Sequence, residues 1–509
     1  MGDWNVKGND QPKSSYPGKW NTPDWKRQPG RKQACNVMKS ESAMRRMLKR
    51  SLCCLLGLGL VQSGLSNERP NLVIIFTDDQ GYADLSCFGG KQVYTPNIDR
   101  MAKEGARLTS FYVAAPLCTP SRAALMTGCY PARIDMDIPS SITVKGVSEK
   151  PFPVCLAGDG RGLNPKELTI AEVAQSAGYK TGMFGKWHLG DQPEFLPTRQ
   201  GFEEFFGLPY SHDIFPGHPR NKIFKFPPLP LLEGEEVIEM NPNANLLTRR
   251  FTERAVDFIK RHKDEPFFIY LAHPLPHGPL AASPEIKKEY AKQLKANGAG
   301  KPGLFPATIY EIDWSVGEIL RTLKEQGVDE NTIVLFSTDN GPAKGSAKPL
   351  SGKKGSTLEG GQRVPTVIRW PKGIPAGGEI DEVLTAMDVL PTFAKLSGAK
   401  LPEDLVIDGE DMMPTVAKGA ESPHEYFFYA HWGVLEGVRW QSWKLRVIDG
   451  KEALYNLDED IAEKKNVAAN HPEIVQQLKA AMEDFENEMA AGVRPAGSVE
   501  NPVPLAKKP

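Results

Sequence analysis

The run Asn71–Thr77 (NLVIIFT) is almost entirely apolar and rich in β-branched residues, without the alternation of a half-exposed strand. Such a run is typical of a strand buried on both faces of a parallel sheet. Similar runs are Thr181–Phe184, Pro266–Leu271 and Thr332–Ser337. Helical periodicity lies between them, at Asn97–Glu104, Leu168–Ala177, Leu247–Arg261 and Thr308–Gln326. Strands that alternate with helices predict an α/β fold with a large, mainly parallel sheet flanked by helices.

Each of these predicted strands is followed by side chains that can bind or react. They are Asp78 and Asp79, then Lys186 and His188, then His273 and His277, and finally Asp339 and Asn340. Ligands of parallel α/β sheets bind outside the carboxyl ends of the strands. The sequence therefore predicts that these groups meet at one edge of the sheet.

The oxygen-bearing members of this set suit a metal ion. Asp78, Asp79, Asp339 and Asn340 bring three negative charges together, and crowded carboxylates resist burial unless a cation compensates them. Oxygen ligands favour Ca²⁺, or Mg²⁺ as the alternative, over Zn²⁺. Either pair alone could instead be a helix cap or a turn former.

The cationic and titratable residues suit an oxyanion. Arg122, Lys186, His188, His277 and one of Lys353 or Lys354 could stabilise a sulfate or phosphate group as its charge develops. His188 and His277 could exchange protons near neutral pH. For His273, a ligand role and a packed structural role stay equally open. The remaining histidines are interpreted as structural or surface residues: His212, His218, His262, His424, His431 and His471.

The stretch CTPSRAALMTG (residues 118–128) resembles the start of a helix, with Thr119 as N-cap and Pro120 at the first helical position. Cys118 then lies at the helix N-terminus, where a thiolate of low pKa is favoured. Sulfur is nevertheless a poor nucleophile beside a hard cation, because such cations prefer oxygen.

The sequence predicts that the chain divides into five segments. Residues 1–43 are polar and basic and are expected to be disordered. Residues 44–66 have the basic start, short apolar centre and small residues before the cleavage point of a signal peptide, which predicts export to a periplasmic, extracellular or lysosome-like compartment. Residues 67–388 form the predicted catalytic domain, 389–490 a smaller α+β part with an antiparallel sheet, and 491–509 a disordered tail.

The net charge, the apolar segments and the cysteines limit the partners and the environment that can be expected for this chain. The net charge of −1 and pI of about 6.8 give no reason to expect nucleic acid. No later segment is long and apolar enough to predict a membrane span in the mature chain. Of seven cysteines, four follow the predicted cleavage site; disulfides are permitted, but their pairing cannot be assigned from spacing.

Several motifs occur together and in order. Cys118-Thr119-Pro120-Ser121-Arg122 matches C-x-P-S-R, and the longer pattern continues through Gly128. The other blocks are GKWHLG (Gly185–Gly190), PHGP (Pro276–Pro279), STDNG (Ser337–Gly341), GKKGSTLEGGQR (Gly352–Arg363) and LDEDIAEKKNVA (Leu457–Ala468). On these residues the chain resembles the sulfatase family over Arg69 to Ala469.

The resemblance implies a modified nucleophile and a metal centre. In sulfatases the motif cysteine is oxidised to formylglycine (3-oxoalanine) by a maturation enzyme, and its hydrated form attacks sulfur through oxygen, so that a sulfated enzyme intermediate forms. By resemblance, Cys118 is that residue, and Asp78, Asp79, Asp339 and Asn340 bind Ca²⁺ together with it.

The resemblance also implies roles for the basic residues. Arg122 would position the modified residue, and Lys186 and Lys354 would hold sulfate oxygens. His188 would take the proton whose loss expels sulfate, while His277, with Lys354, would assist the leaving alcohol. Ser211 matches a serine that contacts sulfate in animal-type arylsulfatases.

The implied fold is the alkaline-phosphatase-like α/β sandwich with a smaller C-terminal sheet. The implied activity is hydrolysis of sulfate esters, with a sulfated sugar or polysaccharide as the expected substrate. Two alternatives stay open: a phosphomonoester, phosphodiester or phosphonate hydrolase of the same superfamily, and an inactive protein that binds sulfated glycans. One departure is Cys129, which stands where a basic residue usually follows Thr-Gly and could help to orient the modified residue.

Overall fold

The computed structural model describes residues 69–143 and 150–506. The expectations for residues 1–43 and for the signal peptide at 44–66 fall outside these residues. None of the helices in the described residues combines the length and apolar character that a membrane span requires.

The strands are β1 (Asn71–Thr77), β2 (Ala106–Leu108), β3 (Phe111–Tyr112), β4 (Arg161–Gly162), β5 (Lys180–Lys186), β6 (Glu204–Leu208), β7 (Pro230–Glu233), β8 (Glu236–Met240), β9 (Phe267–Ala272), β10 (Thr332–Thr338), β11 (Thr366–Arg369), β12 (Gly378–Ile380), β13 (Leu384–Thr385), β14 (Phe427–His431), β15 (Val434–Trp440), β16 (Trp443–Ile448), β17 (Lys451–Asn456) and β18 (Gly497–Ser498).

The helices are α1 (Pro96–Glu104), α2 (Cys118–Thr127), α3 (Ile170–Ser176), α4 (Asn221–Phe224), α5 (Leu247–His262), α6 (Pro284–Asn297), α7 (Leu304–Glu325), α8 (Glu359–Gln362), α9 (Val389–Ser397), α10 (Met413–Lys418) and α11 (Pro472–Gly492).

The main sheet has ten strands in the order β12-β2-β11-β10-β1-β9-β5-β6-β7-β8. Its central strands, from β10 to β6, are all parallel. Antiparallel pairs extend the sheet on both sides: β11 pairs with β10, and after β6 the chain forms the hairpin of β7 and β8. The apolar runs form the buried centre because a parallel strand there has both faces covered.

Alternate side chains of β1 pack into two hydrophobic cores on opposite faces of the sheet. Leu72, Ile74 and Phe76 belong to the core under α2, α3 and α9. Val73 and Ile75 belong to the core under α5 and α7. The predicted α/β sandwich is thus confirmed.

The C-terminal part contains an antiparallel sheet in the order β14-β15-β16-β17, with α11 packed on it. This agrees with the expected α+β character. The predicted boundary at residue 388 differs from the packing, however, because Val389, Phe393 and Met412 lie in the core of the main sheet.

The expectation of a disordered tail at 491–509 is wrong for its described residues. β18 pairs with β4, and the backbone N–H of Val503 donates to Gln192 Oε1 at 3.0 Å. Pairing with distant segments orders this Pro- and Gly-rich stretch, which has no periodicity of its own.

Candidate active site

The carboxyl ends of β1 and β10 lie side by side. Thr77 is in register with Thr338, so the acidic residues that follow the two strands become neighbours. The backbone N–H of Asp79 donates to Asp339 Oδ1 at 3.1 Å, and Asn340 Nδ2 donates to Asp79 Oδ1 at 2.7 Å. The strand register thus brings together the four residues that the sequence singled out.

These buried oxygens are crowded and incompletely paired. Asp78 Oδ1, Asp79 Oδ2 and Asn340 Oδ1 lack hydrogen-bond partners. Burial and the nearby charge of Asp78 raise the pKa of Asp339 to about 7. Burial alone would raise the pKa of Asp78 too, but Lys186 and other cations hold it well below its usual range. An all-oxygen set with free lone pairs fits a hard divalent cation.

Cys118 begins α2 beside this cluster. Its Sγ and carboxylate oxygens of Asp78 and Asp339 all lie within 4.8 Å of one another. The expectation of a thiolate of low pKa is wrong: burial raises the pKa of Cys118 to about 11, although Lys186 and Lys354 act in the opposite direction.

Thr119 is not the N-cap that the sequence predicts, because α2 begins at Cys118 with Leu117 as the capping residue. The Thr119 hydroxyl instead donates to the carbonyl of His188 at 2.9 Å and accepts the backbone N–H of Cys155 at 3.1 Å. Tertiary contacts have displaced the local capping preference.

Arg122 lies one turn along α2 and is fully buried. Its Nη2 and Nε donate to Asp339 Oδ2 at 2.8 and 3.1 Å, and its Nη1 donates to the Tyr270 hydroxyl at 3.1 Å. Sequence reasoning missed Tyr270, which lies inside the apolar run of β9 and has no polar neighbour there to single it out.

Two lysines reach the same cluster. Lys186, at the end of β5, is fully buried and donates to Asp78 Oδ2 at 2.6 Å. Lys354 Nζ lies 2.7 Å from Asp79 Oδ1 and 3.8 Å from Cys118 Sγ. Lys353 is exposed, so Lys354 is the member of the pair that enters the site.

His188 and His277 lie at the ends of neighbouring strands. His188 Nε2 donates to the carbonyl of Cys155 at 3.0 Å, which leaves the buried Nδ1 as a free acceptor. Burial and Lys186 hold the pKa of His188 well below its usual range. His277 Nδ1 donates to the Gly278 carbonyl at 2.6 Å, and its Nε2 lies 3.5 Å from Asp79 Oδ2.

The stretch after β6 also approaches the site. Ser211 is buried, and the ring of His212 meets that of His277 edge-on at 5.8 Å. Asp213 Oδ1 lies 4.0 Å from His277 Nδ1. The sequence interpretation placed His212 among the structural residues and missed Asp213, although both adjoin Ser211 and follow a strand end.

His273 is a packed residue. It is fully buried, its Nε2 lies 2.9 Å from Ser315 Oγ, and burial lowers the pKa of the ring to about 3. Of the two roles left open by the sequence, the structure favours the structural one.

Cys129 lies just past the C-terminal end of α2, at the end opposite Cys118. Arg494 Nη2 donates to its Sγ at 3.2 Å. A guanidinium from the tail thus stands beside the position where a basic residue was expected. Among the described residues, Cys87, Cys118, Cys129 and Cys155 are all free thiols.

Comparison with known proteins decides the family. The Sulfatase family model matches residues 70–399. The chain belongs to the sulfatase family. The model for the C-terminal part of N-sulphoglucosamine sulphohydrolase matches residues 353–488 of this sulfatase.

Relatives and solved structures agree with this assignment. The chain is 38% identical to arylsulfatase A of Homo sapiens over 75% of this chain and 73% of the relative. It is 36% identical to N-acetylgalactosamine-6-sulfatase of Mus musculus over 74% and 72%. The crystal structure of Ps i-CgsB in complex with k-i-k-neocarrahexaose superimposes with a TM-score of 0.70 at 32% identity, over 82% of this chain and 93% of that chain.

The resemblance, the alkaline-phosphatase-like fold and the enzyme class expected from the sequence are therefore confirmed. The sulfatase is a sulfuric ester hydrolase, and the candidate site described above lies at the carboxyl edge of its main sheet.

Proposed function

We propose that this sulfatase hydrolyses sulfate esters of sugars with a formylglycine made from Cys118 and with Ca²⁺ bound beside it. The observation that carries the proposal is the position of Cys118. It lies within one buried cluster of carboxylates, 3.8 Å from Lys354 Nζ, at the start of the helix that carries the modification motif.

The chemistry of the cluster favours oxygen over sulfur at this position. A thiol is a soft ligand, whereas its neighbours are carboxylate and amide oxygens that suit a hard cation. A hydrated formylglycine at position 118 would supply two hydroxyl oxygens at this point, one that would attack sulfur and one that would give up a proton, and both suit a hard cation better than a thiol does. This chemistry supports Cys118 as the substrate of a formylglycine-generating maturation enzyme.

Asp78, Asp79, Asp339 and Asn340 would hold Ca²⁺, with Mg²⁺ as the alternative. Their three unpaired oxygens support this assignment. When bound, the ion would neutralise the crowded carboxylates and stabilise negative charge on a sulfate oxygen. Arg122, which is anchored on Asp339, would position residue 118 through the first turn of α2.

The remaining residues bind sulfate and move protons. Lys186 and Lys354 would stabilise sulfate oxygens, and Ser211 would add a hydroxyl donor. His277 would donate a proton from Nε2 to the oxygen of the leaving alcohol. His188 would accept a proton at Nδ1, because its Nε2 is already committed to the Cys155 carbonyl.

A sulfated sugar or polysaccharide is the proposed natural substrate. N-acetylgalactosamine-6-sulfatase is named for a sulfated sugar, and Ps i-CgsB was solved with k-i-k-neocarrahexaose. Export of the protein is part of the proposal, because residues 44–66 have the pattern of a signal peptide.

The modification is tested by mass spectrometry of the tryptic peptide Leu108–Arg122, from protein made in a host that contains the maturation enzyme. We expect the aldehyde or its hydrate at residue 118, and a Cys118→Ser variant without turnover. A free thiol in all the material would overturn the formylglycine proposal.

The reaction class is tested with matched substrates. We expect a higher kcat/KM on 4-nitrophenyl sulfate than on the phosphate ester of the same alcohol, and turnover of at least one member of a panel of sulfated glycans. A higher kcat/KM on the phosphate ester would instead favour a phosphoryl-transfer role, and binding of sulfated glycans without turnover would favour a binding protein.

A further inference from the structure

Lys354 reaches the active site on a loop, residues 351–359, that connects the site with the C-terminal sheet. On the catalytic side, the backbone N–H of Lys354 donates to the Pro342 carbonyl at 3.2 Å, and that of Gly355 donates to the Pro116 carbonyl at 2.9 Å. Pro116 lies two residues before Cys118, so the loop is hydrogen-bonded to the segment that carries the proposed nucleophile.

The other side of the loop is held by the C-terminal part of the chain. The hydrogen bonds join Ser351 Oγ to the Ala462 carbonyl at 2.6 Å, Thr357 Oγ1 to Glu436 Oε2 at 2.6 Å, and the Glu359 backbone N–H to Glu463 Oε2 at 2.7 Å. Both ends of the loop therefore depend on residues outside the main sheet.

Buried charges reinforce the last of these contacts. Lys444 Nζ, on β16, lies 2.9 Å from Glu359 Oε1 and 2.9 Å from Glu463 Oε1. The Tyr429 hydroxyl donates to Glu359 Oε1 at 2.7 Å. Lys444 and Glu359 are fully buried, and Glu463 is 7% exposed.

This arrangement fixes geometry more than it adds stability. The attraction within a buried ion pair is largely cancelled by the cost of removing both ions from water. Removal of one member leaves a buried charge without a partner, and the surrounding structure must rearrange to compensate it. If Glu463 is lost, the Glu359 N–H loses its acceptor and, of its two carboxylate partners, Lys444 keeps only Glu359, so we expect the loop that they border to shift. Lys354 lies five residues before Glu359 on that loop.

We propose that Glu463 and Lys444 are positioning residues, through which the C-terminal sheet sets the place of the Lys354 ammonium over the sulfate pocket. The proposal rests on the sulfate-binding role of Lys354 described above. Its consequence is that sulfate affinity depends on residues that never touch substrate.

The test compares Glu463→Ala with Glu463→Gln in the full-length chain. Gln keeps an oxygen that can accept the Glu359 N–H, whereas Ala removes it. We expect Glu463→Ala to raise both KM for 4-nitrophenyl sulfate and Ki for inorganic sulfate about tenfold, equivalent to about 1.4 kcal/mol. Glu463→Gln should recover part of each loss.

Arg369→Met is the matched control, because Arg369 is itself buried and pairs with Asp329 and Glu104 at 2.8 Å, away from the loop. It should lower the melting temperature without changing KM or Ki. Equal KM and Ki in Glu463→Ala and wild type, or the same changes in Arg369→Met, would overturn the proposal.

A second measurement does not need activity. Trypsin can cut after Lys353 and Lys354, and we expect these cuts to be several-fold faster in Glu463→Ala than in wild type and in Arg369→Met. Unchanged cutting would refute the positioning role. If the wild type fails to hydrolyse sulfate esters while the cuts accelerate as expected, the proposed function fails and the control of the loop stands.

Discussion

Asp79 and His188 adopt left-handed backbone conformations, with φ of 66° and 63°. Side chains other than glycine rarely occupy this region, and holding one there costs about 1–3 kcal/mol. The surrounding contacts impose it: the N–H of Asp79 donates to Asp339 Oδ1, and the N–H of His188 donates to the Pro209 carbonyl.

The metal proposal predicts a Ca²⁺-dependent stability. At Ca²⁺ 100-fold above its Kd, binding should stabilise the folded protein by about 2.7 kcal/mol. Thermal unfolding of wild type should therefore occur at a higher temperature in Ca²⁺ than in EGTA. Asn340→Ala should lose most of this difference, whereas Asp313→Asn, at a buried carboxylate that caps α1, should keep it. Identical melting curves of wild type in Ca²⁺ and EGTA would contradict the prediction.

His424 predicts a pH-dependent stability. Burial would lower the pKa of this ring, but Asp388, whose Oδ1 lies 2.7 Å from His424 Nε2, with Glu410 and Asp408 nearby, raises it above the ordinary 6.5. A group with a raised folded pKa stabilises the fold fully below its unfolded pKa, and this stabilisation is lost as pH rises through the folded pKa.

His424→Gln should therefore lower the free energy of unfolding by about 1–3 kcal/mol at about pH 5.5 and by much less at about pH 9. Urea unfolding at both pH values measures this, with the more exposed His471→Gln as control. If the free energy of unfolding lost in His424→Gln were larger at about pH 9 than at about pH 5.5, the prediction would be contradicted.

Some of the candidate site residues were foreseen because their place follows from a strand end, and others, such as Cys118, because the motif resembles that of sulfatases. Asp78 and Asp339 are adjacent because β1 and β10 pair in register. Asp213 and Tyr270 were missed for a different reason: their approach to His277 and Arg122 depends on how loops and side chains pack across the sheet. Local sequence carries little information on such contacts.

At the scale of elements, the long apolar runs predict strands well because burial on both faces leaves few alternatives. β1 has the predicted bounds, and β10 extends one residue beyond its predicted end. The start of α2 was misplaced because Thr119 uses its hydroxyl to join His188 to Cys155 instead of capping the helix.

The turn between β14 and β15 lies near the loop that carries Lys354. The His431 Nε2 lies 3.8 Å from the position that a Cβ on Gly355 would take, next to Lys354. Gly433 lies beside Ile138. Between them, Trp432 is 40% exposed, with φ of 51°. Because its aromatic face is exposed near Lys354, we expect Trp432 to stack on a sugar of the proposed substrate.

Trp432→Ala is therefore expected to raise KM for a sulfated oligosaccharide about tenfold, equivalent to about 1.4 kcal/mol. KM for 4-nitrophenyl sulfate should stay within twofold, because this small ester does not reach beyond the sulfate pocket. Trp432→Phe, which keeps an aromatic face, should be intermediate. Equal effects on both substrates would contradict a sugar-binding role for this turn.

At the scale of the whole molecule, segments far apart in sequence share one core. α9 packs under the main sheet although its sequence follows the predicted domain boundary, and the tail crosses back to β4. Neither feature has a local signature: α9 is an ordinary apolar helix, and the tail gains its order only from its partners.

The tail contact with the clearest energetic consequence is the ion pair of Arg494 with Glu167. Arg494 Nη2 lies 2.8 Å from Glu167 Oε2, and the Glu167 side chain is only 4% exposed. Arg494 Nη1 also donates to the Val406 carbonyl at 3.0 Å. Because Glu167 is buried, loss of the guanidinium leaves a charge without compensation.

Arg494→Met should therefore lower the free energy of unfolding by about 2 kcal/mol. Lys479→Met is the matched control: its pair with Glu452, at 2.6 Å, is exposed, and such pairs contribute less than about 1 kcal/mol. Urea unfolding of both variants measures the difference, and equal losses would contradict a structural role for the tail.

Since Arg494 contacts Cys129 at the end of α2 remote from Cys118, kcat of Arg494→Met should stay within twofold of wild type. A large fall in kcat would show instead that the end of α2 at Cys129 controls the placement of residue 118.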